Sequence, residues 1–168
     1  MYKIVPLSHI AETDIEALLD KAFGADRKTR TAYKLRAGTR AIELLSFAAL
    51  DETGSLIGTL QCWPVRIENA DGAADAMTLV GPVAVLPDLQ RGGVGKFLMS
   101  HLIDASEEFG HQALMRIGDP EYYGRFFGFT AEHTAGWKLP GPVERHRLLA
   151  RITRNGGVAT HGRIVPNP

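Results

Sequence analysis

The chain alternates between short apolar runs and stretches in which apolar residues recur every three or four positions. Tyr2 to Leu7 read as a short strand. Beyond it, Ile10, Ile15, Leu18, Leu19 and Phe23 form a one-sided stripe, which predicts an amphipathic helix capped by Ser8 or Thr13. Residues 26–40 are polar and rich in Lys and Arg around a second predicted helix, and the charge run reads as a solvated face. IELLSFAAL (42–50), the turn cluster DETGS and LIGTLQCWPVRIE predict a hairpin. NADGAADA (69–76) is another turn, followed by a third apolar strand, MTLVGPVAVLP (77–87). Pro82 removes one ladder hydrogen bond from that strand and predicts a bulge or a break in pairing.

The second half changes period. Val94, Phe97, Leu98, His101, Leu102, Ala105 and Phe109 share one face of a predicted helix that Gly110 stops. ALMRI (113–117) is a short buried strand. DPEYYGRFF opens another helix, with Asp119 as its cap and Pro120 at its first position. GFTAEHTAGWKL and RHRLLARIT predict two last strands split by a PGP turn, and the polar, glycine-containing tail from residue 154 to 168 reads as loose. The order is an antiparallel meander followed by a strand–helix–strand crossover, that of one mixed α/β (α+β) domain over residues 1–153.

Composition narrows the function. The 168 residues include 19 Lys plus Arg and 19 Asp plus Glu, a balance that argues against a nucleic-acid binder, so any anion site is local. The single cysteine, Cys62, excludes an internal disulfide and a cysteine-rich zinc site, and reads as a small core residue. The six histidines form no ligand pair at metal spacing, so no metal is expected. The N-terminus does not read as a secretory signal, and no apolar run has the length of a membrane span, which points to the cytoplasm and to no membrane partner. No G-x-S-x-G elbow supports a serine hydrolase.

The stretch with most chemical content is QRGGVGKF, residues 90–97. A strand ending in a glycine turn that opens a helix presents backbone N–H groups and a positive dipole end to an anion. Arg91 and Lys96 add charge. A Walker A loop is excluded, because Phe97 stands where Ser or Thr must follow the lysine and Gln90 stands where the first glycine belongs. A dinucleotide fingerprint is excluded by Leu98 in place of its last glycine.

What remains is Q-x-x-G-x-G, made by Gln90, Gly93 and Gly95. Val83-Ala84-Val85 and Leu86-Pro87 precede it, an amphipathic helix follows, and YYGRFFGF (122–129) lies beyond the next strand. In that order these features resemble the GNAT superfamily of acyl-CoA-dependent N-acyltransferases. The...GDPEYY...GF...LPGP stretch resembles a branch of small bacterial predicted N-acetyltransferases. The resemblance implies a GNAT-like domain with a central mixed, mostly antiparallel sheet of about seven strands flanked by about four helices. It implies acetyl-CoA as cosubstrate and a small-molecule or peptide amine as acceptor, in a monomer or homodimer.

By position, Val83, Ala84 and Val85 would pair with the pantetheine arm. Gln90, Arg91, Gly92, Gly93, Val94, Gly95 and Lys96 would hold the pyrophosphate. The backbone N–H near Val85 would face the oxyanion, and Tyr123, or alternatively Tyr122, would give the thiolate its proton. The family spacing puts that acid four residues before Gly128, where this chain has Gly124, so one residue reads as inserted. No base is assigned: Asp119, Glu121 and His133 are candidates, and Gln61 could line the acceptor cleft but cannot act as one. Trp63 and Trp137 read as packing anchors, either of which could wall an acceptor pocket. The alternative to an enzyme is an acyl-CoA-binding module of the same fold without turnover. A nucleotide-binding protein is a more remote third reading.

Overall fold

The computed structural model describes residues 2–153 and 157–168. Among them eight strands and four α-helices follow in the order β1 (Lys3–Pro6), α1 (Glu12–Phe23), α2 (Thr31–Lys34), β2 (Phe47–Leu50), β3 (Leu56–Glu68), β4 (Ala74–Val85), α3 (Val94–Glu108), β5 (Ala113–Ile117), α4 (Pro120–Phe127), β6 (Gly136–Lys138), β7 (Leu148–Ile152) and β8 (His161–Pro166). The strands hydrogen-bond in the order β1-β2-β3-β4-β5-β7, with β8 pairing β3 and β6 off that path. β4/β5 and β6/β8 pair parallel; β1/β2, β2/β3, β3/β8 and β5/β7 pair antiparallel. The chain divides into two compact units, and β3 and β4 run through both.

The first unit comprises residues up to 29, 41–62 and 81–109. Its core joins Leu7, Ile15, Leu18 and Leu19 to Ala48 of β2 and Ala84 of β4, so the stripe read from the sequence is the buried face of α1. Neither expected cap is used. Ser8 lies in a short 3-10 turn, Leu7–His9, Thr13 lies inside the helix, and Ala11 is the N-cap without a side-chain bond. Glu12 and Asp14 meet the positive end of the helix instead. The DETGS turn closes the β2–β3 hairpin through Asp51, whose carboxylate accepts from the N–H groups of Thr53 and Ser55, both at 2.9 Å. The Thr53 hydroxyl bond, then that of the Ser55 N–H, holds its pKa below the usual carboxylate value. The strand before this turn is shorter than expected, because residues 43–45 form a 3-10 turn.

The second unit comprises 30–40, 63–80 and the described residues from 110 onward. Antiparallel pairing of β5 with β7 runs from Ala113↔Ile152 to Ile117↔Leu148. The parallel register of β4 with β5 is Thr78↔Leu114 and Leu79↔Met115. The second helix expected within the polar stretch 26–40 is the short Thr31–Lys34, and the Thr31 hydroxyl donates to the Pro142 carbonyl at 2.6 Å.

The charge run of 26–40 is not simply a solvated face. Arg27, in the first unit, is buried and ion-paired with Glu16 and Asp20. Arg36, in the second, lies 3.8 Å from the centre of the Trp63 ring and 4.2 Å from that of Tyr33. Long basic side chains bury their stems and stack their heads on aromatic faces, which a charge count does not reveal.

The expectation of a loose tail is corrected in part. His161–Pro166 form β8, with Val65↔Pro166 to Glu68↔Arg163 against β3, and Ile164 is buried. Gly162 makes this possible: a Cβ there would fall 2.4 Å from the Glu68 carbonyl oxygen. Residues 154–156 lie outside the described residues. The strand expected across 128–139 is reduced to Gly136–Lys138 and a Thr130↔Ala150 bridge.

Candidate functional site

In the first unit, β4 delivers Val83, Ala84 and Val85 to a short 3-10 turn, Pro87–Leu89, and the glycine turn then opens α3. Gly93 is the N-cap of α3 with φ +81° and ψ 8°, a left-handed conformation that glycine adopts at no steric cost. The helix starts when the Phe97 N–H donates to the Gly93 carbonyl at 2.9 Å. First-turn N–H groups, from Val94 on, have no acceptor inside a helix. A Cβ built on Gly93 would meet nothing within 4 Å, so the turn has open space on its Cβ side. Arg91 and Lys96 are both exposed beside it.

Two members of the expected set are employed inside the protein. The Gly92 N–H closes the turn onto the Leu89 carbonyl at 3.0 Å. The Gln90 amide donates to the Val85 carbonyl at 3.4 Å, tying the loop back to the end of β4. Tyr2, which nothing in the sequence singles out, donates its hydroxyl to the Gly92 carbonyl at 3.2 Å and buttresses the loop from just before β1. Gly58 of β3 lets α3 approach: a Cβ there would lie 2.9 Å from Val94 Cγ1 and 3.1 Å from the Ala84 carbonyl oxygen. On the same strand, Gln61 is buried and its Oε1 has no hydrogen-bond partner among the described residues. A cavity of about 470 Å³ also lies in this unit, but at the other end of α3, between Pro6, His9, Leu44, His101, Asp104 and Phe109.

In the second unit, Asp119 caps α4 by accepting from the Glu121 N–H at 3.1 Å, and Pro120 takes the first position, as the sequence predicts. Asp119 is thereby occupied as a cap. α4 brings Tyr122 and Tyr123 edge to face, with ring centres 4.9 Å apart. Tyr122 also packs edge-on against Phe126 and Phe127. Burial, then the neighbouring Tyr123, pushes the Tyr122 phenol above its ordinary pKa, against a smaller opposing effect of Arg116. Tyr123 contacts Phe127 and Phe129, and Arg116 of β5 covers its ring at 4.4 Å. Its hydroxyl makes no hydrogen bond to a described residue.

The end of α4 is irregular. The Tyr123 carbonyl accepts from the N–H groups of Gly128 and Phe129, a wider closure than the usual helix end. Gly124, at the position where the family pattern has its acid, is pressed against the Phe129 carbonyl, 3.0 Å from where a Cβ would be.

The other candidates have structural partners. His133 Nε2 lies 2.8 Å from the Val158 carbonyl oxygen. Trp137 is fully buried and donates to the Ala159 carbonyl at 2.9 Å. Cys62 is buried. Among the described residues no group of three or more His, Cys, Asp or Glu is placed to hold a metal ion, and no helix is long and apolar enough to cross a membrane.

A strand, a glycine turn with left-handed Gly93 and a helix, followed by a strand and a tyrosine-bearing short helix, are the parts of an acyl-CoA-dependent acyltransferase. The acetyltransferase (GNAT) family model matches residues 13–129, and the chain belongs to that family. It is 30% identical over 138 residues to the uncharacterized N-acetyltransferase YhbS of Escherichia coli strain K12, covering 80% of each chain. The crystal structure of E. coli YhbS, a GNAT family N-acetyltransferase in complex with CoA, superposes with a TM-score of 0.73 at 25% identity, covering 99% of this chain and 89% of that one. A GNAT family acetyltransferase from Brucella melitensis, in complex with acetyl-CoA, shares the fold with a TM-score of 0.68 at 23% identity, over 99% and 96% of the two chains.

Proposed function

We propose that the protein transfers an acetyl group from acetyl-CoA to a primary amine by direct attack of the amine on the thioester. The observation that carries this is the left-handed glycine turn at Gly93, which opens α3 and has free space where a Cβ would stand. The crystallised relatives with CoA and acetyl-CoA support the choice of cosubstrate.

Acetyl-CoA supplies an activated acyl carbonyl and a thiolate leaving group. Backbone donors between Arg91 and Lys96 hold the pyrophosphate, with Arg91 and Lys96 adding charge, while Gln90 and the Gly92 N–H keep the loop in shape. Backbone groups of Val83, Ala84 and Val85 pair with the pantetheine amides in the manner of an added strand. The Val85 N–H stabilises charge that develops on the carbonyl oxygen. As the carbon–sulfur bond breaks, the Tyr123 hydroxyl donates its proton to the sulfur and later regains one from solvent. The attacking amine loses its proton to water, with no side chain assigned as base.

The acceptor is a small molecule or a peptide bearing a primary amine. The test is thiol release from acetyl-CoA in the presence of spermidine, lysine, an aminoglycoside and an alanyl peptide in turn. Release that depends on one of these amines, with stoichiometric N-acetylated product by mass spectrometry, supports the reading. A folded protein that binds CoA but releases no thiol with any amine favours the non-catalytic module.

A further inference from the structure

Parallel pairing of β4 with β5 is seen at Thr78↔Leu114 and Leu79↔Met115. One residue further on, the Arg116 side chain takes a backbone acceptor: its Nη1 donates to the Val80 carbonyl at 3.0 Å. The same guanidinium lies over the Tyr123 ring, 4.4 Å from its centre. Gly118, between β5 and α4, leaves room for both groups. A Cβ there would sit 2.9 Å from Tyr123 Cε2 and 3.2 Å from Arg116 Nε. Phe129 and Tyr122 meet the same ring edge to face at 6.2 and 4.9 Å.

We propose that Arg116 is a positioning residue for proton donation by Tyr123, locking its ring between β5 and α4 while anchored on the Val80 carbonyl. The inference rests on the reading of Tyr123 as the acid. Its chemistry is simple. A cation over an aromatic face is attracted to the ring and fixes it. The ionisable groups in contact with this ring among the described residues are Arg116 from β5 and Tyr122 from the same helix. Arg116 Nε is buried without a hydrogen-bond partner among the described residues. A buried donor left unpaired costs stability.

A double-mutant cycle tests this, using acetyl-CoA and whichever amine of the panel gives the fastest thiol release. Arg116→Gln is expected to lower kcat about 10- to 100-fold, the scale of a misplaced catalytic group, with the KM for acetyl-CoA little changed. In a Tyr123→Phe background the same substitution is expected to change kcat by less than about 2-fold, because the group it positions is gone. Arg116→Lys keeps the charge and a donor but not the planar stack, and is expected to be intermediate. It also serves if the glutamine variant fails to melt cooperatively. An equal loss of kcat from Arg116→Gln in both backgrounds, or full kcat in a folded Arg116→Lys variant, would overturn the inference and leave the acid assignment intact. Wild-type kcat in Tyr123→Phe itself would remove the acid assignment instead.

Discussion

The Arg116 guanidinium bridges two backbone-defined positions, the Val80 carbonyl at 3.0 Å and the Tyr123 ring at 4.4 Å. Tyr123 is thus held by a strand as well as by its own helix, whereas Tyr122 is held mainly by aromatic neighbours. The two tyrosines differ in surroundings as much as in spacing.

Removing the Tyr123 hydroxyl should expose that difference. Tyr123→Phe is expected to lower kcat about 10²-fold or more, the range for loss of a general acid, while leaving CoA affinity unchanged. Tyr122→Phe is expected to change kcat by only a few-fold. Steady-state kinetics with parallel calorimetry checks both. A larger loss in Tyr122→Phe reverses the assignment.

Gly58 is predicted to be intolerant for a packing reason. An added Cβ would press on Val94 and Leu98 of α3 and on the Ala84 carbonyl. Val94 is β-branched and fully buried, so it has little room to yield. Gly58→Ala is expected to cost about 1–3 kcal/mol of stability, the usual penalty for overpacking. Because Val94 opens α3, CoA affinity should fall as well. Denaturant titration and calorimetry on the same preparation measure the two effects, and an unchanged midpoint would show that α3 moves aside freely.

Asp51 makes stability depend on acid. Its pKa is lowered in the folded state by the Thr53 hydroxyl and the Ser55 N–H, so its ionised form stabilises the β2–β3 turn. That stabilisation is fully present above the ordinary carboxylate pKa and is lost as the pH falls through the lower folded value. Asp51→Ala should therefore lower Tm near neutral pH, and its deficit should shrink as both proteins are melted at progressively lower pH. A deficit independent of pH would assign the loss to something other than the carboxylate.

The arrangement of strands and helices was legible where hydrophobic period and turn chemistry agreed. DETGS, the α1 stripe and the Asp119-Pro120 start of α4 all appear where local rules place them. Tertiary contacts decided the rest. β8 was hidden because its pairing depends on Gly162 meeting the Glu68 backbone, a contact with a residue far away in sequence. Arg27 and Arg36 were read as solvated because burial of an ion pair or a stacked guanidinium leaves no periodic mark. The glycine turn that opens α3 could be read because the left-handed backbone at Gly93 depends on glycine itself. The roles of Tyr2 and Arg116 could not, since each acts on a partner brought near only by folding.

The most direct test of the central claim is calorimetric titration of the folded protein with CoA, acetyl-CoA and ATP, alongside Gly93→Glu. In the wild type the account predicts one-site binding of CoA and acetyl-CoA that ATP does not match. Glutamate at residue 93 places an anion before the α3 donors, on a backbone of φ +81°, and is expected to abolish that binding. Arg91→Ala, by contrast, should weaken it only modestly, because backbone donors carry most of the contact. A folded wild-type protein that gives no heat with CoA, or a folded Gly93→Glu variant that binds it normally, would contradict the account.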